Sequence, residues 1–224
     1  LYLASASTYP GAGVEAVVAS GLISARNIME NRVVQKKLLL PPPSLKSDLS
    51  IEEAIHTRHS TRRFEVLSLT LSDVGQLLWA AQGVTHAHSL RAAPSAGALY
   101  PLEIYLVAEN VTDLPSGMYK YHCNEHALEK LKGGHYCQKL YEAANSQKSV
   151  EQAAADIILC AVYDKEKKRF GSAAKTLTDI EVGCVAENIS LQATSLRIGT
   201  VFLAGFDSQS VKELLDFPRD EEPI

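Results

Sequence analysis

Three consecutive prolines, Pro41, Pro42 and Pro43, constrain this chain more than any other feature. Each fixes φ and removes a backbone donor, so neither a helix nor an interior strand can run through them, and the segment is stiff and extended. They divide the chain into an N-terminal appendage over residues 1–40, a linker to about residue 47, and a domain over 48–224. Leu38, Leu39 and Leu40, just ahead of the prolines, can pack against the domain that follows. Within the appendage, residues 1–4 read as the end of a buried strand, Thr8 to Gly13 as a glycine-rich turn, and 14–30 as a helix. A strand, a bare turn and a helix N-terminus together favour a bound phosphate or flavin.

Beyond the prolines, helices and strands are mixed, which points to an α+β domain. Ser50 and Glu53 form a capping box, so a helix runs to about Thr57 and buries Ile51, Ala54 and Ile55. Ser72 is expected to cap a second helix over 73–82, with Val74, Leu77, Leu78 and Ala81 as its core stripe and Gly83 as its end. Residues 103–108 and 155–163 are apolar enough for buried strands, and 118–121 with 127–131 suggest a hairpin. A helix is expected over 136–145 and a solvated loop over the charge run 164–169. A long helix over 178–197 carries the stripe Val182, Ala186, Ile189, Ala193 and Leu196. Residues 200–207 read as a strand entering a tight turn, and Asp207 caps a last helix that buries Val211, Leu214 and Leu215.

One loop stands out chemically. Thr57-Arg58-His59-Ser60-Thr61-Arg62-Arg63-Phe64 packs three arginines and three hydroxyls into eight residues. Forked guanidinium and hydroxyl donors suit a phosphate, although the same residues would serve as a solvated basic loop. If the loop is extended, Arg58, Ser60 and Arg62 share one side, and Thr61 and Arg63 take the other. The net charge is −4, which argues against nucleic acid and makes this loop a local basic patch suited to a small anion. Cys123, Cys137, Cys160 and Cys184 form no metal-ligand spacing, and His86 with His88 lack a third ligand, so no metal is expected. No apolar run is long enough to span a membrane. The expectation is a cytoplasmic protein with reduced thiols.

Residues 54–64 resemble the opening R-x-S-x-R-x-F motif of the nitroreductase family. The stretch Ala92-Ala93-Pro94-Ser95-Ala96-Gly97-Ala98-Leu99-Tyr100-Pro101-Leu102-Glu103-Ile104-Tyr105 is a more specific match, and resembles the SagB-type branch that includes azoline dehydrogenases. Thr200 to Asp207 is similar to the family's G-x-x-x-G-F-D element. Residues 1–31 instead resemble the C-terminal end of FAD-dependent desaturases and amine-oxidase-like enzymes, without the half that would hold FAD.

The resemblance implies a nitroreductase-like fold, a mostly antiparallel sheet flanked by helices, working as a homodimer built on the long helix. It implies FMN, with its phosphate held by Arg58, His59, Ser60 and Arg62. Its ring would lie along Pro94, Ser95, Ala96 and Gly97 and against Leu203, Ala204 and Gly205, whose amides reach flavin N5. Hydride would pass from NAD(P)H or an organic donor to a small-molecule acceptor, with no essential acid–base side chain. Glu187 and Asn188 on the long helix are expected to be structural. The family's final strand and basic residue are expected to be missing. Azoline dehydrogenases carry a Lys-Tyr pair where Arg169-Phe170 stands here; arginine stays protonated and phenylalanine has no proton to give. Azoline oxidation is therefore disfavoured, and the alternatives are a flavin-binding subunit without turnover in a peptide-modifying complex, or an azoline dehydrogenase despite the missing Lys-Tyr pair.

Overall fold

A computed structural model describes residues 37–86 and 90–224. The FAD-like reading of the appendage falls on residues 1–36 and lies outside the described residues.

The fold is built on β4 (Leu102–Ala108), which pairs antiparallel with β5 (Gly117–His122) on one side and β7 (Ala155–Ala161) on the other. Successive side chains of a strand point to opposite faces. Leu102, Ile104, Leu106 and Ala108 enter one core cluster and Tyr105 and Val107 another. Both faces of β4 are thus covered, which is why its sequence is a continuous apolar run. The expected hairpin is present as β5 and β6 (Ala127–Gly133). With β1 (Leu38–Leu39) and β8 (Glu222–Pro223) the sheet order is β1-β6-β5-β4-β7-β8, and every pairing is antiparallel. A separate ribbon joins β2 (Val84–His86) to β3 (Leu90–Arg91).

The first face is covered by α2 (Leu71–Gln82) and α6 (Ala174–Ser195), through Val74, Leu78, Ala81, Val182 and Val185. The second is covered by α3 (Cys137–Ala143) and α7 (Ser208–Leu215), through Leu140, Val211 and Leu215. Three short helices complete the described residues: α1 (Ile51–Thr57), α4 (Lys148–Gln152) and α5 (Asp164–Phe170). The capping box at Ser50 is formed as expected, and Gly83 and Asp207 stand at the predicted helix ends.

Several expectations are corrected. Leu38–Leu39 belong to the sheet rather than to an appendage, because they find the open edge of β6; the prolines, lacking donors, end the pairing. The cap of α2 is Thr70, not Ser72. A capping box needs an acid three residues on, which is Asp73 from Thr70 but would be Gly75 from Ser72. The charge run 164–169 is helical because Glu166 is fully buried and hydrogen-bonded to Thr178, while Lys165 reaches Glu103 at 2.6 Å. Ile51 and Ile55 are exposed, at 57% and 61%, because only the Ala54 side of α1 faces inward. Residues 200–207 form no strand: a single bridge joins Thr200 to Ser60, and the rest has no partner strand.

Candidate functional site

The basic loop begins where α1 ends. Arg58 is its C-cap, and its backbone N–H donates to the Ala54 carbonyl at 2.9 Å. The chain then runs alongside residue 200, with the Thr61 N–H donating to the Thr200 carbonyl at 2.8 Å. The first and third predicted segments are therefore neighbours within one chain. Ser60 and Arg62 are exposed, and Arg62 pairs with no carboxylate among the described residues. Arg58 is half-buried, 3.7 Å from Glu187 of α6. His59 turns back on the Thr57 carbonyl at 3.0 Å.

The 203–205 segment is held by its carbonyl side. The Asn145 and Gln147 amides both donate to the Gly205 oxygen, at 2.9 and 3.0 Å. The N–H groups of Ala204 and Gly205 donate to nothing among the described residues, both residues are exposed, and a Cβ added to Gly205 would meet open space. Two free amides, four and five residues past Thr200 where it bridges to the run of guanidinium and hydroxyl donors, can take a flat, anionic ligand.

The 94–97 segment is a tight turn leading into a 3₁₀ turn, Ala96–Ala98, in which Gly97 takes φ +60°. It is anchored to α6. Asn188 donates to the carbonyls of Ala80 and Ala92, both at 3.2 Å. The Ser95 hydroxyl accepts from the Tyr100 N–H at 2.8 Å. Ser95 therefore serves the turn's own structure. On α6, 100° of rotation per residue sets Glu181 and Asn188 about 20° apart and Glu187 about 120° away from Glu181. The turn and the basic loop thus dock on different faces of α6, and no hydrogen bond links them among the described residues.

Behind the turn lies a buried polar cluster that sequence patterning did not single out. Glu181 (2% exposed) accepts from the Gln82 amide at 2.9 Å, and Arg91 reaches Gln82 at 3.1 Å. Glu166 accepts from Thr178 at 2.9 Å, and one oxygen of each glutamate has no partner. Burial raises the Glu181 pKa; bonds from Ser95 and Gln82 oppose the shift and Glu166 adds to it. The signal was legible: Thr178, Glu181, Val182 and Val185 stand at helical spacing on one stripe, so a carboxylate sits at a core position. For Asn145 and Gln147 no local signal exists, since their role depends on a residue 60 and 58 positions away.

A cavity of about 750 Å³ opens along β7, lined by Thr61, Arg63, Asp156, Ile189, Leu203 and Phe206 among others. Arg58, Ser60, Arg62 and the 94–97 turn do not line it. Asp156 in this cavity is pushed up to about 7, by burial first and then by Glu109. Among the described residues, no three His, Cys, Asp or Glu side chains gather as a metal site, and no helix is long and apolar enough to cross a membrane.

The fold is that of an α+β protein with a mostly antiparallel sheet flanked by helices. The model of the Nitroreductase family matches residues 55–224, and the chain belongs to that family. It is 33% identical over 168 residues to a Methanocaldococcus jannaschii protein described as a putative nitroreductase, covering 75% of this chain and 85% of that one. A Ralstonia eutropha structure carrying the same description superposes with a TM-score of 0.75 at 26% identity, over 86% of this chain and 87% of that one. The NADPH:FMN oxidoreductase of Vibrio harveyi, solved with NAD+, shares the fold with a TM-score of 0.56 at 20% identity, over 78% and 65% of the two chains.

Proposed function

We propose that this chain is an FMN-dependent oxidoreductase of the SagB-type branch of the family. The observation that carries the reading is the 203–205 segment: its carbonyl is pinned by Asn145 and Gln147 while the Ala204 and Gly205 amides stay free, four and five residues past Thr200, which bridges to Ser60 of the basic loop. Arg58, Ser60 and Arg62 hold the FMN phosphate, with His59 buttressing the loop. Pro94, Ser95, Ala96 and Gly97 present backbone along one side of the ring, and Leu203 packs beside it. The Ala204 and Gly205 N–H groups donate toward N5, where they favour negative charge as an oxyanion hole does. Bound FMN supplies hydride transfer between NAD(P)H, or an organic donor, and a small-molecule acceptor. Such chemistry asks the protein for placement and electrostatics, and the site residues are of that kind.

Two copies of the chain complete the site. The turn and the basic loop dock on different faces of α6, so a partner's turn can meet this chain's loop. Ile51 and Ile55 on α1 and Ile180 on α6, each more than half exposed, supply apolar surface for that contact. The test is an absorbance spectrum after reconstitution with FMN, then anaerobic addition of NADPH or NADH. Flavin bands that co-elute with a dimer and bleach are expected. A protein that stays colourless refutes the site; bands that persist with both nucleotides leave an organic donor or a subunit without turnover.

A further inference from the structure

Arg169 stands in the last turn of α5, where the loop was expected, and its guanidinium lies beside the backbone of Gly97. A Cβ at Gly97 would stand 2.7 Å from Nη1 and 3.0 Å from Cζ of Arg169. A side chain at Gly97 would displace the end of Arg169 from this place. The Phe170 ring lies 5.5 Å from Cζ, within cation–π range, and Nη1 points to the Gly97 carbonyl at a long 3.5 Å. This exposed cation pairs with no carboxylate among the described residues. Lys165, on the same helix, is by contrast engaged by Glu103 at 2.6 Å. A guanidinium offers five N–H donors in a rigid fork, and here at most one is used, weakly.

We infer that Arg169 determines specificity, binding an anionic oxygen group, carboxylate or phosphate, on the molecule that exchanges hydride at this site. The inference rests on the flavin reading of the 94–97 turn and extends it to the substrate's chemistry. Gly97 borders the ring, so a fork lying beside Gly97 stands at the ring's margin, where a substrate's charged end is anchored while its reacting carbon or nitrogen reaches the ring. Arginine at this position cannot serve as a base, which fits an anchoring role and excludes a proton-transfer one. Carboxylate and phosphate both match the planar fork in bidentate fashion.

The test compares wild type, Arg169→Gln and Arg169→Lys as FMN-reconstituted proteins, reading dissociation constants from perturbation of the oxidised flavin spectrum, without turnover. Two probe pairs separate the sources of the anion: benzoate against benzamide for a carboxylate, phenyl phosphate against phenol for a phosphate. In R169Q the anionic member of one pair weakens roughly 10- to 100-fold, as loss of a charge-assisted hydrogen bond predicts. Its neutral counterpart changes less than about twofold, R169K is intermediate, and FMN affinity is unchanged. Equal effects within both pairs, or none, overturn the inference while the flavin reading stands. Failure of the wild type to take up FMN overturns the flavin reading and this inference with it.

Discussion

Asn188 is the bolt between α6 and the predicted ring-binding turn, and replacing it gives a sharp forecast. Its side-chain amide donates to the Ala80 carbonyl at the end of α2 and to the Ala92 carbonyl two residues before Pro94, each at 3.2 Å. Asn188→Ala removes two neutral hydrogen bonds, each contributing about 1 kcal/mol net, and leaves two carbonyls short of a donor. A loss of about 2–3 kcal/mol is expected. Asn188→Asp keeps the shape and reverses the polarity, so a carboxylate faces two carbonyl oxygens and the loss rises to about 3–5 kcal/mol. Urea unfolding with both midpoint and slope recorded measures this, and FMN titration of the folded variants reports the turn. The aspartate variant should recover part of its stability toward pH 4, where protonation restores one donor. If N188D matches or exceeds N188A in stability at pH 7.5, the two carbonyls are not what Asn188 holds, and the anchoring of the turn to α6 must be reassigned.

Two further outcomes follow from buried groups. Asp156 titrates near 7 in the fold and in the usual carboxylate range, about 3.9, when unfolded. Its raised value means that the fold favours the protonated form, so its stabilisation is complete below pH 3.9 and is lost as pH rises toward and through 7. Three units set a ceiling of about 4 kcal/mol, and solvent reaching the open cavity lowers this to about 1–2 kcal/mol. Asp156→Asn should therefore flatten the decline in melting temperature between pH 4 and 8; an unchanged decline would refute the assignment. The Tyr105 hydroxyl donates to Glu221 at 2.6 Å in the second core, beside Lys120 at 3.3 Å. Tyr105→Phe leaves a buried carboxylate oxygen short, and should cost about 1.5–3 kcal/mol in urea unfolding.

Much of the architecture was legible because its signals are local. Ser50 with Glu53, the α2 stripe from Val74 to Ala81 and the apolar run of β4 each contain their own reason. The sequence misled wherever the deciding partner is distant. A charge run looks like a loop until Glu166 is seen buried on Thr178 and Lys165 tied to Glu103. Ile51 and Ile55 have the spacing of a core stripe, and only the orientation of α1 on α6 shows which side is free. The site divides the same way. Its three segments are readable as motifs, whereas what positions them, Asn145 and Gln147 on Gly205 and Asn188 on Ala92, comes from far along the chain. Gly97 reads as a turn glycine, and the Arg169 guanidinium beside it needed the fold.

The strand order has a consequence for handling this protein. Leu38–Leu39 and Glu222–Pro223 occupy opposite margins of the six-stranded sheet, five strand spacings apart. At about 4.8 Å per spacing that is roughly 24 Å of rigid ruler between two points of entry to the domain. Leu38 lies at the β6 margin, and the prolines stiffen the chain that follows it. Anything joined after Pro223 is leashed beside β7, next to the open cavity. The two attachment points report on different flanks of the molecule, and a tether meant to reach the cavity belongs on the second.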